Sequence, residues 1–150
     1  MVRRGPAEEA DRGYAPEGLD GGRLGLPTCW DEWFPEVSRL YGLAGAQLLV
    51  YPTAIGSEPG FPAFDTQPIW EHVIRGNGIT NGTFMVAVNR IGTETAGDTS
   101  ITFYGSSFIS DPYGRVLGQA PRDEPAGLIE DRDLDQRRDW QHTIPFPHTT

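Results

Sequence analysis

The chain has 150 residues, 37% of them hydrophobic, and its 19 Gly and 13 Pro imply many turns without reaching the low-complexity range, which excludes a wholly disordered chain. Twelve basic against 21 acidic residues leave a net charge of −9, which argues against a nucleic-acid partner. All twelve bases are Arg; the chain contains no Lys, and its single Cys excludes an internal disulfide.

Residues 1–22 are polar, rich in Gly and Pro and without periodicity, and read as an irregular lead-in. From Arg23 the character changes: Leu24 and Leu26 alternate with Gly and Pro up to Thr28-Cys29 and read as a short strand that ends at the cysteine. Pro35 suits the first turn of a helix whose apolar face is Val37, Leu40, Tyr41, Leu43 and Ala44, with Gly45 as its stop. The run 47–51 (QLLVY) predicts a strand buried on both faces. Strand, cysteine turn, helix and strand make a βαβ unit with parallel strands.

A loop follows over 54–65, then a second helix over 68–81 with Ile69, Trp70, Val73 and Ile74 on one face, closed by Asn81-Gly82. Residues 83–91 (TFMVAVNRI) predict a central strand, 95–100 a loop, 101–109 one further strand, and 111–114 (DPYG) a turn. Residues 115–117 pair back as a hairpin, 127–130 form a last strand, and a helix begins within 133–140. The final IPFPHTT carries two prolines that cannot continue a helix.

Three scattered His and one Cys make no metal-ligand spacing, and no cofactor is expected. No apolar run approaches a membrane span, and residues 1–10 lack the apolar stretch of a signal peptide, so a cytoplasmic protein without a membrane partner is expected.

Cys29 is the sharpest chemical feature. A cysteine between a buried strand and a helix start can be held in a tight turn, where the amides that follow and the helix dipole favour its thiolate. The surrounding PTCWD lacks the glycines of a serine nucleophile elbow, and on residues alone an inert buried thiol stays open. Asp31, Glu32 and Glu36 form an acidic cluster beside it. They read either as a solvated helix start or as a recognition surface for a cationic substrate. His72 reads as a surface histidine and not as the base for the cysteine. The GNGITNG run at 76–82 follows a helical pattern instead of a strand, so it reads as a helix end and not a dinucleotide loop.

The stretch GRLGLPTCWDEWFPE (22–36) resembles the cysteine segment of the nitrilase superfamily, the carbon–nitrogen hydrolases. LVYPTAIGSEP (49–59), AVNRIG (87–92) and FYGSSFISDPYG (103–114) follow in matching order and spacing, and together they look most like the N-carbamoylputrescine amidase branch. The resemblance implies an α/β fold, part of a four-layer α-β-β-α sandwich, over residues 23–135, with 136–150 as an irregular tail. It implies hydrolysis of a small ureido or amide substrate without a cofactor, and assembly into homo-oligomers. It assigns Cys29 as nucleophile, the backbone amide of Trp30 as an oxyanion donor, and Glu58, Asn89 and Arg90 to the substrate side, with the Asn89-Arg90 pair closer to structural support than to chemistry.

The family's general-base Glu and its oxyanion-stabilising Lys lie on the N-terminal side of the cysteine. This chain has no Lys, and Glu8, Glu9 and Glu17 stand in no matching context, so none is assigned. The chain therefore reads as the C-terminal catalytic half of such an enzyme. The competing readings are a non-catalytic fragment that keeps only a partner-binding surface, or a β-ureidopropionase-like amidase.

Overall fold

The computed structural model describes residues 16–19 and 22–145. The central feature is a six-stranded sheet in the order β1-β2-β3-β4-β7-β8. Its strands are β1 (Glu17–Leu19), β2 (Gly22–Gly25), β3 (Leu48–Thr53), β4 (Phe84–Asn89), β7 (Phe108–Ser110) and β8 (Val116–Gln119). Strands β2, β3 and β4 run parallel, and the outer pairings are antiparallel. The expected βαβ unit is present: β2 leads through a 3₁₀ turn (Cys29–Trp33) and helix α1 (Pro35–Leu43) into β3. Helix α2 (Gln67–Asn81) connects β3 to β4, and α3 (Asp135–Thr143) follows the sheet.

Local chemistry explains the helix limits. Pro35 opens α1 at a position where its missing N–H costs nothing. Gly82 closes α2 in the left-handed conformation, φ +61°, and its N–H returns to the Ile79 carbonyl. The aligned register Leu49↔Met85 and Tyr51↔Ala87 sends four side chains of β3 and β4 to one face. There they bury against Val37 and Tyr41 of α1 and Trp70 and Ile74 of α2. The opposite face is only half covered: Leu48 and Val50 are partly exposed and Val88 stands half in solvent. Strand β3 is thus buried on one face, not on both as its apolar run implied. Hydrophobicity alone does not report which face finds a partner.

The second half departs further from expectation. Residues 95–100 are not a loop. They complete a two-stranded ribbon of β5 (Ile91–Ala96) and β6 (Thr99–Tyr104) whose turn uses Gly97 at φ +59°. The expected strand over 101–109 is two strands in two sheets, because Gly105 (φ +49°) and Ser106 (φ +55°) turn the backbone between β6 and β7. A Cβ on Gly105 would lie 2.5 Å from the Arg122 carbonyl oxygen. Gly105→Ala is therefore expected to lower stability by about 2 kcal/mol through left-handed strain plus that clash, read as a fall of several degrees in thermal midpoint; an unchanged midpoint contradicts it.

The DPYG turn forms as expected, with Gly114 N–H donating to Asp111 O at 2.9 Å, and β8 pairs back on β7. Residues 127–130 form no strand; Ile129 is 94% exposed and β8 pairs only with β7. The expected irregular segments also carry structure. Glu17–Leu19 inside the lead-in pairs with β2, and α3 occupies most of the supposed tail. That helix is fixed by Trp140, whose Nε1 donates to the Ile79 carbonyl at 2.8 Å.

Candidate active site

The backbone leaves β2 at Gly25 and reaches Thr28 in extended conformation. Cys29 then takes φ +45°. A non-glycine residue here carries strain of roughly 1–2 kcal/mol, which persists only where the surroundings enforce it, and such strain gathers at functional positions. The enforcement is visible: Thr28 N–H donates to Asp31 Oδ2 at 2.9 Å, and Asp31 N–H donates to Thr28 O at 3.0 Å. These two bonds close the turn around the cysteine, which is partly exposed. The expected elbow is present without the glycines of its serine counterpart. Trp30 follows with its indole 60% exposed and its ring centroid 6.0 Å from that of Trp33.

The acidic cluster does not behave as a unit. Asp31 braces the turn, Glu36 is exposed at the start of α1, and Glu32 is buried, 1% exposed. Glu32 Oε1 accepts Trp70 Nε1–H at 2.7 Å, and its backbone carbonyl accepts Asn77 Nδ2–H at 2.9 Å. Burial pushes the Glu32 carboxyl up to about 8; the Trp70 bond works against this rise and the charge of Asp31 adds to it. The solvated reading and the cation-recognition reading both fail for Glu32, because its side chain points into the core. The phenols of Tyr51 and Tyr104 are buried nearby, and desolvation drives both above their ordinary range, with Glu32 adding to the effect. This buried polar group of Glu32, Trp70, Tyr51 and Tyr104 was not foreseen. Aromatic residues at 30, 33 and 34 flanking Asp31 and Glu32 were the available sign.

Asn89 is a clamp. Its Oδ1 accepts Thr53 Oγ1–H at 2.8 Å and Ile55 N–H at 2.9 Å; its Nδ2 donates to Ile55 O at 3.0 Å and Gly105 O at 2.9 Å. All four positions of the amide are used by the protein, so the substrate-side assignment is replaced by structural support. Arg90 is engaged as well: it pairs with Glu94 at 2.5 Å and lies 4.6 Å over the Phe103 ring. Glu58 stands exposed in the loop between β3 and α2, where its carbonyl accepts Phe61 N–H. Its charge is felt at Tyr104, and no contact joins it to Cys29 among the described residues. His72 is exposed on α2 and bonds the Pro68 carbonyl, away from the cysteine turn, and Glu17 is exposed in β1. Among the described residues no group of His, Cys, Asp and Glu is placed to hold a metal ion, and no helix is long and apolar enough to cross a membrane.

Residues 3–142 match the carbon-nitrogen hydrolase family. The chain belongs to that family. The match is wider than residues 23–135. Among relatives, an N-carbamoylputrescine amidase of Solanum tuberosum is 43% identical over 124 residues, covering 80% of this chain and 41% of that protein. A citrullinase of Francisella tularensis is 45% identical over 100 residues, covering 67% of this chain and 35% of that protein. The chain thus spans between about a third and two-fifths of the length of these relatives. Among solved structures, a carbon-nitrogen hydrolase from Helicobacter pylori G27 superposes with a TM-score of 0.78 at 35% identity, over 89% of this chain and 48% of that one. A mutant amidase from Nesterenkonia sp. AN1, with acrylamide added at its active site cysteine, has a TM-score of 0.63 at 26% identity, over 87% and 47%. The mixed α/β arrangement is that of the nitrilase superfamily.

Proposed function

We propose that this chain carries the nucleophile of an amidase acting on a linear ureide or amide, with N-carbamoylputrescine as the favoured substrate class. The observation that carries the reading is Cys29 at φ +45° in a braced turn three residues beyond the end of β2, in a chain of the carbon-nitrogen hydrolase family. The active site cysteine of the Nesterenkonia amidase and the names of the plant and Francisella relatives support it. In this mechanism the Cys29 thiolate attacks the ureido carbonyl, with the Trp30 amide assisting the oxyanion. Ammonia leaves, and water releases the carbamoyl group from sulfur as carbon dioxide and the free amine. We assign the reaction to polyamine synthesis, since putrescine is the amine that an N-carbamoylputrescine amidase, the name the plant relatives carry, would release. Exposed Phe34, Leu40 and Leu43 along α1 support assembly of copies of the chain.

The test uses a full-length domain that carries this segment. Ammonia release from N-carbamoylputrescine is expected to vanish with Cys29→Ala; turnover that survives the change removes Cys29 from the mechanism. Substrate charge supplies a second measurement. Glu58 is the exposed carboxylate of the IGSEP loop, so Glu58→Gln is expected to raise KM for the cationic ureide severalfold while leaving a neutral ureide nearly unchanged. Equal effects on both substrates would sink that assignment.

A further inference from the structure

We propose that Glu32 is the positioning residue of the Cys29 nucleophile, tying the turn that bears the sulfur to helix α2. The inference rests on the amidase reading for its purpose, but its geometry stands apart from the reaction. Glu32 lies in the same 3₁₀ turn as Cys29, and two separate groups of α2 grip it: Trp70 Nε1 on the carboxyl and Asn77 Nδ2 on the backbone carbonyl. The turn is only five residues long, so any shift of Glu32 is transmitted to the cysteine.

The second carboxyl oxygen completes the argument. Oε2 is buried and accepts nothing, and the phenol oxygen of Tyr51 is buried and unpartnered too. No cation pairs with Glu32 among the described residues. A carboxylate would leave an uncompensated charge there, whereas a carboxylic acid keeps Oε1 as the acceptor for Trp70 and carries no charge. The groups whose fields reach Glu32 are Asp31 on its own turn, Tyr51 on β3 and Tyr104 on β6, with Tyr41 of α1 behind Tyr51. Helix α2 faces it with the neutral Trp70 and Asn77. None of these neighbours is cationic; burial and the Asp31 charge favour the protonated acid and outweigh the Trp70 N–H, which favours the carboxylate. Loss of its proton would put an uncompensated anion under the elbow and repel a thiolate.

Cys29 is the only cysteine, so alkylation by iodoacetamide reports on this one atom. The rate is measured on the full chain from about pH 6 to 9.5 for the native protein, Glu32→Gln, Glu32→Leu and the surface control Glu36→Gln. Gln keeps an acceptor and a donor and cannot ionise. The expected ratio of the Glu32→Gln rate to the native rate is near 1 at about pH 6.5 and at least threefold by about pH 9, where the native side chain has ionised. Glu36→Gln is expected to stay at 1 throughout. Glu32→Leu, which leaves Trp70 without an acceptor, is expected to change the rate at least fivefold at neutral pH. A Glu32→Gln ratio that is flat across the whole range overturns the proposal, even if Glu32→Leu fails to fold. Ammonia release from N-carbamoylputrescine by the same variants in a full-length domain separates the two readings: a pH-dependent labelling ratio without turnover sinks the amidase reading alone, and turnover with a flat ratio sinks the positioning role alone.

Discussion

Incubated alone with N-carbamoylputrescine or N-carbamoyl-β-alanine, the 150-residue chain is expected to release no ammonia above background. Three functions must meet at the carbonyl in the family's reaction: a nucleophile, a base that serves it and then water, and a cation at the developing oxyanion. Cys29 supplies the first. The chain contains no Lys, and a guanidinium differs from an ammonium in shape and reach. Neither carboxyl beside the cysteine is available as a base, since Asp31 is bonded to Thr28 N–H and Glu32 faces Trp70. Losing an oxyanion donor costs on the order of 10²–10³ in rate, and losing general-base help roughly 10²–10⁴ more. Cys29-dependent turnover within about tenfold of a full-length family member would show that another residue of this chain does the work of the lysine.

The second large effect is on stability. Glu32→Gln is expected to stabilise the protein at neutral pH and to flatten its stability profile. The folded carboxyl titrates near 8 against an ordinary value of 4.5. Below the lower value the group is protonated whether the chain is folded or not, and burial costs little. As pH rises from there, the unfolded chain ionises while the folded protein keeps its proton, so stability is progressively lost until the folded carboxyl itself ionises. At pH 7 the difference amounts to about 3 kcal/mol, which the amide avoids while keeping the acceptor for Trp70. For a chain of this size that is roughly 6–12 °C in thermal midpoint. At about pH 4 the variant and the native protein are expected to melt together. A gap of equal size at both pH values would place the native carboxyl in the ionised state and remove the argument.

The contrast between Cys29 and Glu32 marks what was legible in the sequence. Cys29 and its turn were readable because a short strand, a Pro-initiated helix and ordered family motifs all bear on one position. The parallel β2-β3-β4 unit was readable for the same reason: each element announces itself locally. Glu32 was not readable, because its burial is decided by Trp70 and Asn77, which lie 38 and 45 residues away. The split between β6 and β7 was hidden in a different way. Apolar residues lie on both sides of a short Gly-Ser-Ser break, and the positive φ of Gly105 and Ser106 within that break sends the two halves to different sheets. Asn89 stood out within a motif, but its role as a clamp depends on Thr53, Ile55 and Gly105 meeting around it.

That clamp also predicts which variation the position tolerates. Asn89 joins the end of β3, the entry to the Glu58 loop and the corner before β7 through one planar group with two acceptor and two donor contacts. Aspartate has the shape but lacks both donors and would set a charge against two carbonyls. Glutamine has the chemistry but is one methylene too long for a site fixed on three sides. Serine and histidine lack the paired geometry. In a library of all twenty residues at this position, asparagine should therefore survive almost alone, while Arg90 beside it, held by a solvent-facing ion pair and a ring face, should accept many replacements.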